Sequence, residues 1–115
     1  MQDFELTDPR LWFYRARIKR VVDGDTVIAV VDRGFTDFSV KKFRLAGVDA
    51  PLDRRSAAQR RLSQLIEGKE VLVKAYRTAK LDRWLLEIFL PPSWTTTAND
   101  LLIAEGLANS FTKPR

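Results

Sequence analysis

Three short runs of β-branched and aromatic residues, each broken off by a glycine-containing turn signal, set what this chain can fold into. The first is Leu11 to Val22, in which Arg15, Arg17 and Lys19 alternate with Ala16 and Ile18, the period-two pattern of a strand with one buried and one basic face. Thr26 to Val31 reads as a second strand, Asp32-Arg33-Gly34 as a turn, and Phe38 to Leu45 as a third strand. Together they predict a meander in which Asp25 and Arg44 lie on neighbouring strands. After the corner at Pro51, Ala58, Leu62, Leu65 and Ile66 recur at helical spacing, and Gly68 stands where a helix C-terminus is expected. Glu70 to Tyr76 and Leu85 to Leu90 read as two more strands, separated by the polar segment Arg77 to Arg83. Pro91-Pro92-Ser93 ends the last strand, because proline cannot donate to a ladder. Thr97-Ala98-Asn99-Asp100 has the form of a capping box, opening a short helix through Glu105 that Gly106 stops.

Composition narrows the chemistry. A chain of 115 residues is expected to make one domain, residues 1–115, around a single modest core. It has no cysteine and no histidine, which excludes disulfides, the usual structural zinc sites and histidine acid–base chemistry within this chain. Catalysis would have to run on carboxylates, lysine, arginine, tyrosine or a hard metal. Lysine and arginine number 20 against 15 acids, a formal charge of +5, so a polyanionic partner is electrostatically favoured. The start, Met1 to Asp8, is acidic and lacks the basic and apolar regions of a secretory signal, and no run approaches the roughly 20 apolar residues of a membrane span. A cytoplasmic protein is the expectation, although a mature secreted chain would read the same way.

Two motifs carry chemistry. Val22-Asp23-Gly24-Asp25-Thr26-Val27 and Phe43-Arg44-Leu45-Ala46-Gly47-Val48-Asp49-Ala50-Pro51 set acidic clusters on either side of one arginine. Taken singly, Asp-Gly is a turn, Asp49-Ala50-Pro51 a pre-proline corner and Arg44 a strand arginine. Jointly, in this order and spacing, they resemble the staphylococcal nuclease (thermonuclease) family. The likeness extends to Gly68-Lys69-Glu70-Val71-Leu72-Val73 and to Asn99 through Ala108, so that one register runs from about Arg17 to Ala108.

The resemblance implies an α+β, mainly β fold, a five-stranded OB-fold barrel with two to three helices. It implies calcium-dependent hydrolysis of phosphodiester bonds in DNA or RNA. Single-stranded DNA or RNA is the expected partner, and a monomer is favoured where the sequence leaves the oligomeric state open. Asp25 and Asp49 would ligate Ca2+ directly, with the Ala50 carbonyl as a third ligand, and Asp23, two residues from Asp25 in an extended stretch and pointing to the same side, would add to the negative field. That is part of the six to eight oxygens a hard cation takes. Arg44 matches the first phosphate-clamping arginine of the family. Arg83 takes the second position if Ala79-Lys80-Leu81-Asp82-Arg83-Trp84-Leu85 is the corresponding segment, where Ala79 replaces an aspartate and Asp82 a glycine. Trp84 is the candidate for base stacking, while Trp12, Phe13 and Tyr14 read as core or edge cover. Arg54 and Arg55, with Arg60 and Arg61, form a basic run that is either a solvated face or a set of phosphate contacts.

Leu52 departs from the pattern, standing where the family carries the glutamate credited with activating the attacking water. A positioned general base contributes roughly 10²–10⁴-fold, so leucine there predicts impaired turnover. Asp53 would substitute only if the loop shifts. Three functions follow from the sequence: a slowed calcium-dependent nuclease, a catalytically silent nucleic-acid-binding barrel, and a protein-interaction domain. Asp25, Arg44 and Asp49 favour the first two, and Leu52 favours the second over the first.

Overall fold

The computed structural model describes residues 12–78 and 84–110. Five strands close a barrel in the order β1-β2-β3-β6-β5: β1 is Phe13–Asp23, β2 Thr26–Asp32, β3 Phe38–Leu45, β5 Glu70–Arg77 and β6 Trp84–Phe89. Helix α1, Arg55–Ile66, follows a 3-10 turn at Leu52–Arg54, and α2, Ala98–Ala104, follows β6. Val48–Asp49 (β4) and Asn109–Ser110 (β7) pair as a small second sheet. The expected mainly β barrel, and the strands and helices read from the sequence, are present with bounds shifted by a residue or two. Leu11, the expected start of the first strand, lies outside the described residues.

Local chemistry explains the elements. In β1, Ala16 and Ile18 are buried while Arg15, Arg17 and Lys19 are exposed, as the alternation requires. The register against β2 then shifts between Ile18 and Arg20, a bulge that leaves Lys19 and Arg20 both exposed and returns Val21 to the interior. The side chain of Glu67, just past α1, accepts the Val21 N–H at 2.8 Å, giving the bulged strand a partner. Thr97 caps α2 by accepting the Asp100 N–H at 3.0 Å, and Gly106 beyond its end has φ +75°.

The core fills the barrel and the space under α1. Ile18, Val27, Leu45, Val73, Leu86 and Ile88 meet Leu62 and Ile66 of the helix and Leu102 of α2, all fully buried. Burying each such side chain stabilises the fold by roughly 1.5–3 kcal/mol.

Closure is uneven. β1 and β5 pair antiparallel from Phe13–Lys74 to Arg17–Glu70, whereas β3 and β6 run parallel and register only Arg44 with Leu85 and Leu45 with Leu86. Among the described residues, Phe38 to Phe43 of β3 pair with β2 alone. Asn99, at 1% exposure, reinforces the thin seam: its amide donates to Ala46 O at 2.9 Å and Leu86 O at 3.0 Å, and its oxygen accepts the Ile88 N–H at 2.9 Å. No helix among the described residues is long and apolar enough to cross a membrane.

Candidate phosphate site at the β3–β4 end of the barrel

The site grows from the end of β3. Gly47, at φ +71°, turns the chain between β3 and β4, a conformation that accounts for glycine inside Arg44-Leu45-Ala46-Gly47-Val48-Asp49. Thr26 and Arg44 are register partners across β2 and β3, which sets Asp25 beside the Arg44 side chain.

Asp25 is 5% exposed and fully engaged. One carboxylate oxygen accepts the Thr26 hydroxyl at 3.0 Å, and the other accepts Arg44 Nη2 at 3.1 Å and the Ala50 N–H at 3.2 Å. A buried carboxylate needs such partners, since removing the cation from a buried pair costs about 3–5 kcal/mol. The Arg44 side chain stays 43% exposed, so its guanidinium is anchored at one edge and open to solvent at the other.

The sequence reading took Asp23 to Asp25 as extended. The structure corrects this: β1 ends at Asp23, Gly24-Asp25 form a turn, and Asp23 Oδ1 accepts the Gly24 N–H at 2.8 Å. Gly24 is there for closeness and not for a positive φ. A Cβ on it would lie 2.8 Å from Ala58 Cβ, 2.9 Å from Ala50 Cβ and 3.1 Å from the Arg55 carbonyl oxygen. Gly24→Ala is therefore expected to push α1 off the turn and cost about 1–3 kcal/mol in a denaturant melt; an unchanged midpoint would show that the contact gives way freely.

That contact fixes the start of α1, and with it Arg55. The Arg55 guanidinium donates to Ala50 O from Nε at 3.4 Å and from Nη2 at 3.2 Å, and its Nε lies 3.6 Å from Asp23 Oδ1. Ala50 is thus held at both ends, its N–H by Asp25 and its carbonyl by Arg55. Arg54 is used differently, donating to Gly106 O at 2.9 Å and Asn109 Oδ1 at 3.3 Å. Arg61 ties α1 to Glu105 with contacts of 2.8 and 3.1 Å, and this hydrogen bonding holds the Glu105 carboxyl below its ordinary range.

The remaining expected residues take different places, Asp49 directly before the Ala50 whose N–H Asp25 holds. Asp49 is exposed on β4. Leu52 is 82% exposed on the 3-10 turn, and Asp53 beside it has its carboxylate 3.7 Å from Arg54. Trp84 opens β6, its ring 6.3 Å from that of Trp12 with Arg77 over it, and both tryptophans line a cavity of about 380 Å³ shared with Phe43, Lys41 and Arg33. Arg83 lies outside the described residues, as do 79–82.

Two of the three oxygen donors expected for calcium are already engaged within the chain. Among the described residues no three acidic side chains come together to hold a metal. Asp25 is spent on Arg44, Thr26 and the Ala50 N–H, and the Ala50 carbonyl already receives a guanidinium. Like unit charges 4 Å apart repel by about 4 kcal/mol at the effective dielectric near a protein surface, and a divalent ion doubles that. The sequence reading offered Arg55 as a phosphate contact but not its hold on the Ala50 carbonyl, and placed Asn99 only in a motif.

No family model matches the chain. A curated protein described as a micrococcal nuclease, from Shigella flexneri, is 29% identical over 107 residues, an alignment that takes in 85% of this chain and 59% of that relative. The chain thus spans less than two thirds of the length of the relative it matches.

Proposed function

From a closed five-stranded barrel and a sequence match that together fit a domain of the staphylococcal nuclease type, we propose that this chain binds the phosphodiester backbone of single-stranded DNA or RNA at its β3–β4 end and that its hydrolytic step is crippled. The observation that carries the reading is Arg44, held at one edge by a buried aspartate and left open at the other. A guanidinium fixed in this way is pre-organised to donate to phosphate oxygens, and little of its rotamer freedom remains to be lost on binding. Arg55 holds the carbonyl of Ala50, whose N–H shares Asp25 with Arg44, and the formal charge of +5 favours the encounter.

Two features argue against efficient turnover. Leu52 cannot accept a proton from water, and leucine in place of a general-base acid is expected to slow turnover by roughly 10²–10⁴-fold. Asp25 and the Ala50 carbonyl, which would hold calcium, are also engaged by Thr26, Arg44 and Arg55, so the metal that would polarise the phosphate has no ready seat.

The test pairs fluorescence anisotropy on a labelled single-stranded oligonucleotide with a cleavage gel in calcium. Affinity is expected to fall as salt rises, with a log–log slope of about −2 if some three phosphates are contacted. No calcium-dependent cutting is expected. Absence of binding at low salt would remove the proposal. Cutting by the natural chain that disappears in Asp25→Ala would show a working enzyme in place of a crippled one.

A further inference from the structure

A site of this type is expected to hold a divalent cation, yet a side chain of this chain already lies on one of the oxygens that cation would use. The Ala50 carbonyl accepts Arg55 Nε and Nη2 at 3.4 and 3.2 Å, and the same guanidinium lies 3.6 Å from Asp23. It is no freely swinging surface group. The backbone of Arg55 is wedged against Gly24, where even one methyl would come within 3.1 Å of the Arg55 carbonyl oxygen.

We propose that Arg55 is the resident cation of this site, so that the anionic oxygens of a phosphodiester bind between the Arg44 and Arg55 guanidiniums without a divalent metal. The inference rests on the phosphodiester-binding reading above and adds to it which group takes the metal's place. The geometry is specific. Asp25 Oδ2 accepts both Arg44 and the Ala50 N–H, and Arg55 holds the carbonyl of that same residue, so two guanidiniums are fixed at the two ends of Ala50.

Both side chains keep an open face, Arg44 43% exposed and Arg55 40%. A guanidinium carries five N–H donors, and the bonds to Ala50 use only part of that fork. Planar forks of this kind match pairs of phosphate oxygens, which a single hydrated ammonium does less well. Charge balance agrees: Asp25 is paired by Arg44 and Asp23 by Arg55, so an added divalent cation would meet two acids that are already matched.

The experiment measures affinity for a fluorescein-labelled single-stranded oligothymidylate in EDTA and in calcium, with calcium alone titrated calorimetrically. The natural chain is expected to bind equally in both conditions, within about twofold, and to take up no calcium. Arg55→Ala and Arg55→Gln are each expected to bind about tenfold more weakly in EDTA, the usual size of one lost charge-assisted contact. The glutamine keeps an N–H for the Ala50 carbonyl, so its loss reports charge rather than folding, and Arg55→Lys is expected to recover part of the affinity. Arg60→Ala, removing an exposed arginine on the same helix, should change binding by less than about threefold.

Calcium strengthening the natural chain's binding tenfold, or Arg55→Gln binding as tightly as the natural chain in EDTA, would overturn the inference while leaving the phosphodiester-binding reading intact. Failure of the natural chain to bind in either condition would remove both.

Discussion

Asn99→Ala is expected to lower the free energy of unfolding by about 3–5 kcal/mol, enough to move the melting temperature of a domain this size by on the order of 15 °C or more. The side chain is 1% exposed and joins three backbone groups across the parallel seam. Alanine would leave the Ala46 carbonyl and the Ile88 N–H without that partner in a place closed to bulk water. Leu86 O would be spared, because it also accepts the Ala46 N–H at 2.8 Å. Two orphaned buried groups at about 1–3 kcal/mol each, plus the lost packing, give the figure. Asn99→Asp is a sharper control: it keeps an acceptor for Ile88 N–H but turns an oxygen toward two carbonyls, and is expected to be at least as damaging. Urea melts of the two variants decide the matter, and a loss under about 1 kcal/mol in both would show that the seam holds without this residue.

Arg44→Glu is expected to abolish measurable oligonucleotide binding, a loss of more than about 100-fold, and to destabilise the fold by about 3 kcal/mol. The two effects have different causes. Destabilisation comes from setting a carboxylate against Asp25, which is 5% exposed and would lose the cation 3.1 Å away. The binding loss comes from replacing an attraction for phosphate with a repulsion. A double-mutant cycle separates them. In an Asp25→Asn background the stability cost of Arg44→Glu is expected to shrink to about 1 kcal/mol, while the binding defect persists in full. If the stability cost were the same in both backgrounds, Arg44 and Asp25 would not be energetically coupled, and the anchoring of Arg44 would lose its basis.

Much of this was legible in the sequence where the signal is local. The alternation of Arg15, Ala16, Arg17 and Ile18, the cap at Thr97 and the glycines at 68 and 106 each determine a conformation through near neighbours, and each lies where the pattern put it. The proximity of Asp25 and Arg44 followed from the meander, since a hairpin of known register brings them together. What the sequence withheld is long-range. Arg55 meets Ala50 only because the 3-10 turn at Leu52–Arg54 folds the chain back within five residues, and nothing in a run of arginines says which one returns. Asn99 finds Ala46 across 53 positions, through a parallel pairing that no turn signal announces. The turn at Gly24 was obscured for a different reason: two aspartates two apart read equally well as an extended pair pointing one way.

The unequal closure of the barrel bears on how copies of this chain meet one another. From Phe38 to Phe43 the outer edge of β3 has no strand beside it among the described residues, and Phe38 and Val40 on that stretch are more than half exposed. An apolar ribbon with open backbone donors and acceptors invites a second chain to extend the sheet. Lys41 and Lys42, both exposed, interrupt it. A pairing of two copies that set these lysines opposite one another would bring each ammonium against its like. Charges so placed on an exposed strand edge are gatekeepers, opposing the edge-to-edge assembly that such a flank invites.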